Sequence, residues 1–144
     1  QDEHENNSES SVPMLKKPLC TLGGHEGTVT RCSFHPSGRY VGTTGEDFTW
    51  RLWDVEMSTE LLLQDGHIRG CDAIAFHDDG SLLLTGDLGG LALMWDLRSG
   101  QCVHAFQGHI KKIVTACFNP NGFQVATGST DNMVRIWDLR SKKC

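Results

Sequence analysis

Three sets of residues in this chain have the makings of a nucleophile, a base and an orienting acid. His25, Thr43 and Asp47 form one set and His109, Thr127 and Asp131 another; His67 and Thr85 belong to a third, in which Gly89 stands at the place of the aspartate. A carboxylate that orients an imidazole, and an imidazole that takes a proton from a hydroxyl, are the parts of a hydrolytic or acyl-transfer triad. Two features weigh against that chemistry. The set recurs once per copy of a repeat, whereas an active site is normally single. No Gly-x-Ser-x-Gly turn or other motif for an exposed nucleophile accompanies any copy. No catalytic residue is therefore expected, and the three histidines, one per copy, are read as structural rather than as metal ligands. No metal, cofactor or small-molecule substrate is expected.

The elements that would position these groups follow from the repeat itself. Gly24-His25, Gly66-His67 and Gly108-His109 are spaced by 42 residues, and each is followed 28 residues after the histidine by Trp53-Asp54, Trp95-Asp96 and Trp137-Asp138. Superposing the copies shows one apolar set three times on a first strand: Val29, Cys71 and Ile113, then Cys32, Ile74 and Ala116, then Phe34, Phe76 and Phe118. That recurring face is expected to be core. Pro36-Ser37-Gly38, Asp78-Asp79-Gly80 and Pro120-Asn121-Gly122 follow as tight reversals whose glycines can take positive φ, so they are hairpin turns and not phosphate cradles. Second strands hold Val41, Leu83 and Val125, third strands Leu52, Met94 and Ile136, and fourth strands Leu61 to Leu63 and Val103 to Phe106. The third copy has only Cys144 where its fourth strand would start, which leaves an unpaired edge.

A repeat of this length running from Gly-His to Trp-Asp resembles the WD40 β-propeller family, from about Pro18 to the last residue. The resemblance implies an all-β fold: a sector of three consecutive four-stranded blades, at about 24–65, 66–107 and 108–144, the last lacking its outer strand. Rings typically hold about 4–8 blades, so three are read as part of a larger, seven-bladed protein. The Gln at position 1 and the abrupt end at Cys144 agree with that reading. Leu19 to Leu22 would be the outermost strand of a preceding blade, and residues 1–17, polar and acidic, a disordered tail.

By the same resemblance the triad-like sets become hydrogen-bonded structural tetrads: His25, Thr43, Asp47 and Trp53; His67, Thr85 and Trp95; His109, Thr127, Asp131 and Trp137. The aspartate accepts from the histidine, the histidine from the threonine, and the tryptophan packs over the network, satisfying polar groups that burial would strand. Gly89 would leave His67 partly unsatisfied, at a cost on the order of 1–3 kcal/mol unless water or Asp87 substitutes. The second blade is then the softest of the three or carries a compensating contact.

Composition narrows the function. The chain has 144 residues, 38% of them hydrophobic, in keeping with a globular β-protein. Its formal charge of −5 falls to −1 without Asp2, Glu3, Glu5 and Glu9 of the first ten residues. That is no electrostatic footprint for tight non-specific nucleic-acid binding. The six cysteines contain no Cys-x-x-Cys pair and sit mostly in strand patterns, as expected of reduced, packed thiols inside a cell. No apolar run nears the ~18 residues of a membrane span, and no signal peptide is visible. A soluble cytosolic or nuclear protein is expected.

The family's usual interaction face carries the loops into the first strand and between the second and third. Its candidates are Glu26, Thr28, Thr30 and Glu46 in copy one, Arg69, Asp72 and Leu88 in copy two, and Lys111, Lys112 and Thr130 in copy three. This mixture of acidic, basic and apolar groups suits a protein partner better than a phosphate backbone. Trp50 is added because its counterparts are Ala92 and Val134, so the repeat does not demand the ring. It either fills a gap between blades, the preferred reading, or anchors a partner. Arg51 and Arg135, interrupted by Leu93, suggest a solvated strand face.

A closer resemblance rests on His35 to Asp54 (HPSGRYVGTTGEDFTWRLWD), Ala75 to Ser81 (AFHDDGS), and Asn119 to Asn132 (NPNGFQVATGSTDN) with Trp137 to Arg140 (WDLR). These stretches are similar to middle blades of the WD40 subunits of the U4/U6 small nuclear ribonucleoprotein, the Prp4-type splicing factors. The resemblance implies a non-catalytic nuclear scaffold that helps assemble the U4/U6 particle and its joining with U5. Its partners would be other U4/U6 ribonucleoproteins and, as a further option, the U4/U6 small nuclear RNA. A generic WD40 adaptor of a ubiquitin-ligase or signalling complex is the alternative. Isolated, such a sector is expected to expose apolar faces on its first and third blades and to self-associate.

Overall fold

The structure, a computed structural model, describes residues 11–141. It holds strands and turns with no helix among the described residues. Blade one comprises β1 (Val29–Phe34), β2 (Tyr40–Gly45), β3 (Thr49–Asp54) and β4 (Thr59–Asp65). Blade two comprises β5 (Cys71–Phe76), β6 (Leu82–Asp87), β7 (Leu91–Asp96) and β8 (Gln101–Gln107). Blade three has β9 (Ile113–Phe118), β10 (Gln124–Ser129) and β11 (Val134–Asp138). Each sheet is an antiparallel meander in chain order, of 4, 4 and 3 strands.

The turns behave as their composition requires. Gly38, Gly80 and Gly122 sit at φ of 76°, 79° and 80°, a region that costs other L-residues a clash with their Cβ. Two of these glycines have a second duty that the sequence pattern did not reveal. His35 Nε2 lies 2.9 Å from the carbonyl of Gly80, and His77 Nε2 lies 3.2 Å from that of Gly122, tying each blade to the next. A Cβ at Gly80 would come within 2.5 Å of the His35 ring.

Alternation along each strand sends one set of side chains to each neighbour. Leu83, Leu93 and Trp95 of blade two meet Trp50 and Leu52 of blade one in one core. Leu84, Ala92 and Met94, on the opposite face of the same sheet, meet Ile113 and Val125 of blade three in another. The cores thus lie between blades, and the outer faces of the two end blades have no counterpart among the described residues.

That arrangement corrects several expectations. The recurring face of the first strands is core in Cys71 and Ile113, both fully buried, but Val29 and Phe34 are 51% and 66% exposed because no blade among the described residues packs on them. Val134 and Ile136 are exposed on the far side of blade three for the same reason. Leu19 to Leu22 forms no strand, since a strand needs a ladder partner and none is present among the described residues. Of the expected tail, residues 1–10 lie outside the described residues and 11–17 carry no regular structure. Among the described residues the thiols are free as expected, yet only Cys71 is buried; Cys20 is partly buried, and Cys32, Cys102 and Cys117 are exposed. Burial pushes the Cys71 thiol up to about 12. No helix long and apolar enough to cross a membrane is present among the described residues.

Candidate functional site

The triad-like residues meet in space. In blade one, His25 Nδ1 lies 3.0 Å from Asp47 Oδ2 and Nε2 lies 2.7 Å from Thr43 Oγ1, while Trp53 Nε1 donates to that hydroxyl oxygen at 2.8 Å. Blade three repeats this with His109–Asp131 at 2.8 Å, His109–Thr127 at 2.8 Å and Trp137–Thr127 at 2.9 Å. One proton arrangement satisfies each set. The histidine keeps its proton on Nδ1 and donates that N–H to the ionised aspartate, which leaves Nε2 bare to accept the threonine O–H, and the threonine oxygen accepts the indole N–H. The tryptophan is therefore a hydrogen-bond donor in the network and does not merely pack over it.

Blade two departs in a way the sequence left open. Asp87 Oδ2 lies 2.9 Å from His67 Nδ1, His67 Nε2 is 2.7 Å from Thr85 Oγ1, and Trp95 donates to Thr85 at 2.9 Å. Asp87 is the substitute acceptor, so His67 is fully partnered. Asp87 occupies the repeat position of Gly45 and Ser129, two residues before the usual aspartate. In blade one the same space is filled from the other side: a Cβ on Gly45 would lie 2.6 Å from Asp47 Oδ1 and 2.7 Å from His25 Nδ1. The pair Gly45 with Asp47 is thus exchanged for Asp87 with Gly89, and one carboxylate fits either way.

Burial alone would raise these carboxyls, but hydrogen bonds reverse the sign. For Asp47 the Thr49 hydroxyl, the Glu26 amide and His25 hold the carboxyl well below the ordinary range. Burial is likewise outweighed at Asp87 by His67 and the amides of Leu91 and Gly89, and at Asp131 by His109 and the amides of Met133 and Ile110. The threonine hydroxyls are closed to a substrate. Thr85 and Thr127 are fully buried and Thr43 is 8% exposed, and each oxygen already serves both a histidine and a tryptophan. The geometry is that of an internal brace which pins the loop before the first strand to the second and third strands.

The candidate partner-facing residues divide. Glu26, Thr28, Glu46, Arg69, Leu88, Lys111, Lys112 and Thr130 are exposed at one end of the blades, on the loops before the first strands and on the β2–β3, β6–β7 and β10–β11 turns. Three others are not free. Trp50 is fully buried, edge-on to Trp95 with ring centroids 5.4 Å apart, so it fills the space between blades. Thr30 sits at a bulge where β1 and β2 shift register, and its hydroxyl bonds Thr44 at 2.9 Å and the carbonyl of Cys71 in blade two. Asp72 is partly buried and lies 3.8 Å from Arg31. Arg51 is also buried, bridging Glu60 at 2.8 Å and Asp47 at 3.3 Å, and is not on a solvated face. Period-2 alternation places these residues on a face correctly but does not say which faces a neighbouring blade covers.

Phe48, Ile68 and Ile110 are exposed apolar residues at the same end that the sequence reading passed over. A signal was available for each: Phe48 stands where the other copies have Gly90 and Asn132, and Ile68 and Ile110 stand where copy one has Glu26.

Comparison with known proteins agrees with this architecture. The family profile described as "WD domain, G-beta repeat" matches residues 16–54, 59–96 and 100–138. The chain is 48% identical over 48 residues to the U4/U6 small nuclear ribonucleoprotein PRP4 of Saccharomyces cerevisiae, which covers 33% of this chain and 10% of that protein. It is 34% identical over 68 residues to pre-mRNA-processing factor 19 of Oryza sativa subsp. japonica, covering 47% and 13% of the two chains. A guanine nucleotide-binding protein subunit beta of Nicotiana tabacum is 38% identical over 71 residues, with 46% and 19% covered. The matches thus span a fifth or less of these relatives' lengths. Among solved structures, that of U3-55K superposes with a TM-score of 0.79 at 26% identity, covering 82% of this chain and 38% of its own. The chain belongs to the WD40 repeat family.

Proposed function

We propose that this chain is a non-catalytic scaffold sector of a nuclear pre-mRNA splicing factor, acting in the assembly of the U4/U6 particle and of its joined form with U5. The 48% identity to the yeast U4/U6 protein PRP4 carries this reading. The buried, fully partnered Thr-His-Asp sets support a brace over a hydrolytic site. The loops at one end, presented on rigid strands, supply the recognition surface. Glu26, Thr28, Glu46, Arg69, Leu88, Lys111, Lys112 and Thr130 are its candidate contacts, and the partners are other U4/U6 ribonucleoproteins, with the U4/U6 RNA itself as a second option.

The test is a tagged pull-down from nuclear extract of the protein that bears this sequence, probed for small nuclear RNAs and co-purifying proteins. Enrichment of U4 and U6 RNA is the expected outcome. Their absence beside some other stable complex would replace this reading with a generic WD40 adaptor, which the similarity to a G-protein beta subunit over 71 residues favours.

A further inference from the structure

The β2–β3 turn of blade one and the two loops of blade two enclose a depression of about 310 Å3, lined by Phe48, Ile68, Arg69, Gly70 and Leu88. Larger depressions run along blade three, where Ile136 and Trp137 occupy the positions through which Leu52, Trp53, Met94 and Trp95 serve the repeat. Those belong to a face that a following blade would cover. The depression at Phe48 is different in kind, since both blades that form it are present and packed, and it remains open.

Nothing in the fold requires its apolar lining. The repeat provides an internal control: Leu88 corresponds to Glu46 and Thr130, Phe48 to Gly90 and Asn132, and Ile68 to Glu26 in copy one, though to Ile110 in copy three. Yet Ile68 is 84% exposed, Phe48 50% and Leu88 43%. Phe48 also has a conformational cost, at a φ of 70°, where its counterparts Gly90 (87°) and Asn132 (68°) are residue types that tolerate the left-handed region. A bulky ring held there, half in water, is a genuine outlier, and such strain clusters at binding sites. Gly89 completes the shape. A Cβ at that position would lie 2.9 Å from Arg69 Cδ, so the displacement of the tetrad carboxylate to Asp87 is what lets the Arg69 stem lie across the turn.

One side of the depression is basic. Arg69 makes no ion pair among the described residues, and exposed Lys111 and Lys112 follow on the loop whose carbonyl at Lys111 abuts Gly90. The brace aspartates at this end are engaged: Asp47 by His25 and Arg51, Asp87 by His67 and Asp131 by His109. Glu46, beside Gly70, and Asp65, in register with Thr49 next to Phe48, are exposed carboxylates that make no ion pair among the described residues, and they lie on the side of the depression away from Lys111 and Lys112.

From these observations we infer that the Phe48–Ile68–Leu88 depression is a docking site for a segment of a partner protein that presents one large apolar side chain flanked by carboxylates. The apolar side chain enters between Phe48 and Leu88, and the carboxylates pair with Arg69 and with Lys111 and Lys112. An apolar anchor in a pocket with a charged rim is the usual division between affinity and steering at protein interfaces. This inference rests on the scaffold reading above and names the contact within it.

The test uses fluorescein-labelled nonapeptides with a central Leu or Phe flanked by Glu, by Ser or by Lys, titrated by anisotropy against the full chain. The Glu-flanked peptides are expected to bind best. Phe48→Asn, which installs the residue type of copy three, should weaken them at least tenfold while the melting temperature stays level or rises. Arg69→Glu should shift the preference toward the Lys-flanked set. Equal binding of all three sets, affinity indifferent to Phe48→Asn, or tighter binding of a single-stranded RNA dodecamer with the same dependence on Phe48 would each overturn the proposal. Phe48→Asn carried through the nuclear pull-down separates the two readings. Retention of U4 and U6 RNA together with the full set of co-purifying proteins would leave the splicing role standing and remove this contact.

Discussion

Asp87 lies 2.9 Å from His67 and supplies, from two residues earlier in the chain, the carboxylate that Asp47 supplies to His25 and Asp131 to His109. Blade two is therefore braced like its neighbours despite Gly89. The exchange works because the histidine needs a carboxylate oxygen at one point in space, and a turn of this type can deliver it from either end.

Removing that carboxylate tests the equivalence. Asp87→Ala strands the His67 Nδ1 proton and the amides of Gly89 and Leu91, for an expected loss of about 2–3 kcal/mol in urea unfolding. Adding Gly89→Asp to that variant should restore about half or more, once the Arg69 stem moves aside. A double variant no more stable than Asp87→Ala would show that the two positions are not interchangeable.

Acid should unfold the chain through the same groups. Asp47, Asp87 and Asp131 have carboxyls depressed below the ordinary value of 3.8, so below that pH the unfolded chain takes up protons that the native chain refuses. Their contribution is fully present at neutral pH and is lost as the pH falls from 3.8 through the lower folded values. Stability measured by denaturant between pH 7 and 2 should be flat in this contribution above about pH 5 and fall below it. Asp87→Asn should make that acid limb shallower, and an unchanged limb would assign it to other carboxyls.

Trp50 is a packing residue whose indole nitrogen is buried with no hydrogen-bond partner among the described residues. Trp50→Phe removes the orphaned N–H along with some volume, whereas Trp50→Ala opens a cavity against Trp95 and Leu83. The alanine variant should lose about 3–5 kcal/mol and the phenylalanine variant at least about 1.5 kcal/mol less. Equal losses would mean that the indole has a partner, such as a buried water.

The two outer faces predict association. Val29 and Phe34 on blade one, and Val134 and Ile136 on blade three, are half or more exposed where their counterparts in blade two are covered, and the outer edge of β11 is unpaired among the described residues. Light scattering of the isolated chain should show oligomers that grow with concentration. A monodisperse monomer across that range would contradict it.

Much of this was legible in the residues. The 42-residue period and the glycine turns determined by themselves the strand positions, and with the family resemblance they named all four groups of the brace in copies one and three and three of the four in copy two, because period-2 burial and positive-φ turns are local properties that a repeated sequence displays three times. The tertiary structure decided what the repeat left open. That Asp87 reaches His67, that Trp50 and Thr30 are sealed between blades, that His35 and His77 clasp the next blade, and that Phe48, Ile68 and Leu88 converge on one depression are facts of through-space packing between sheets. Two sequence positions can be equivalent in the repeat and still differ in what lies opposite them, and a neighbouring sheet is invisible to any period read along one strand.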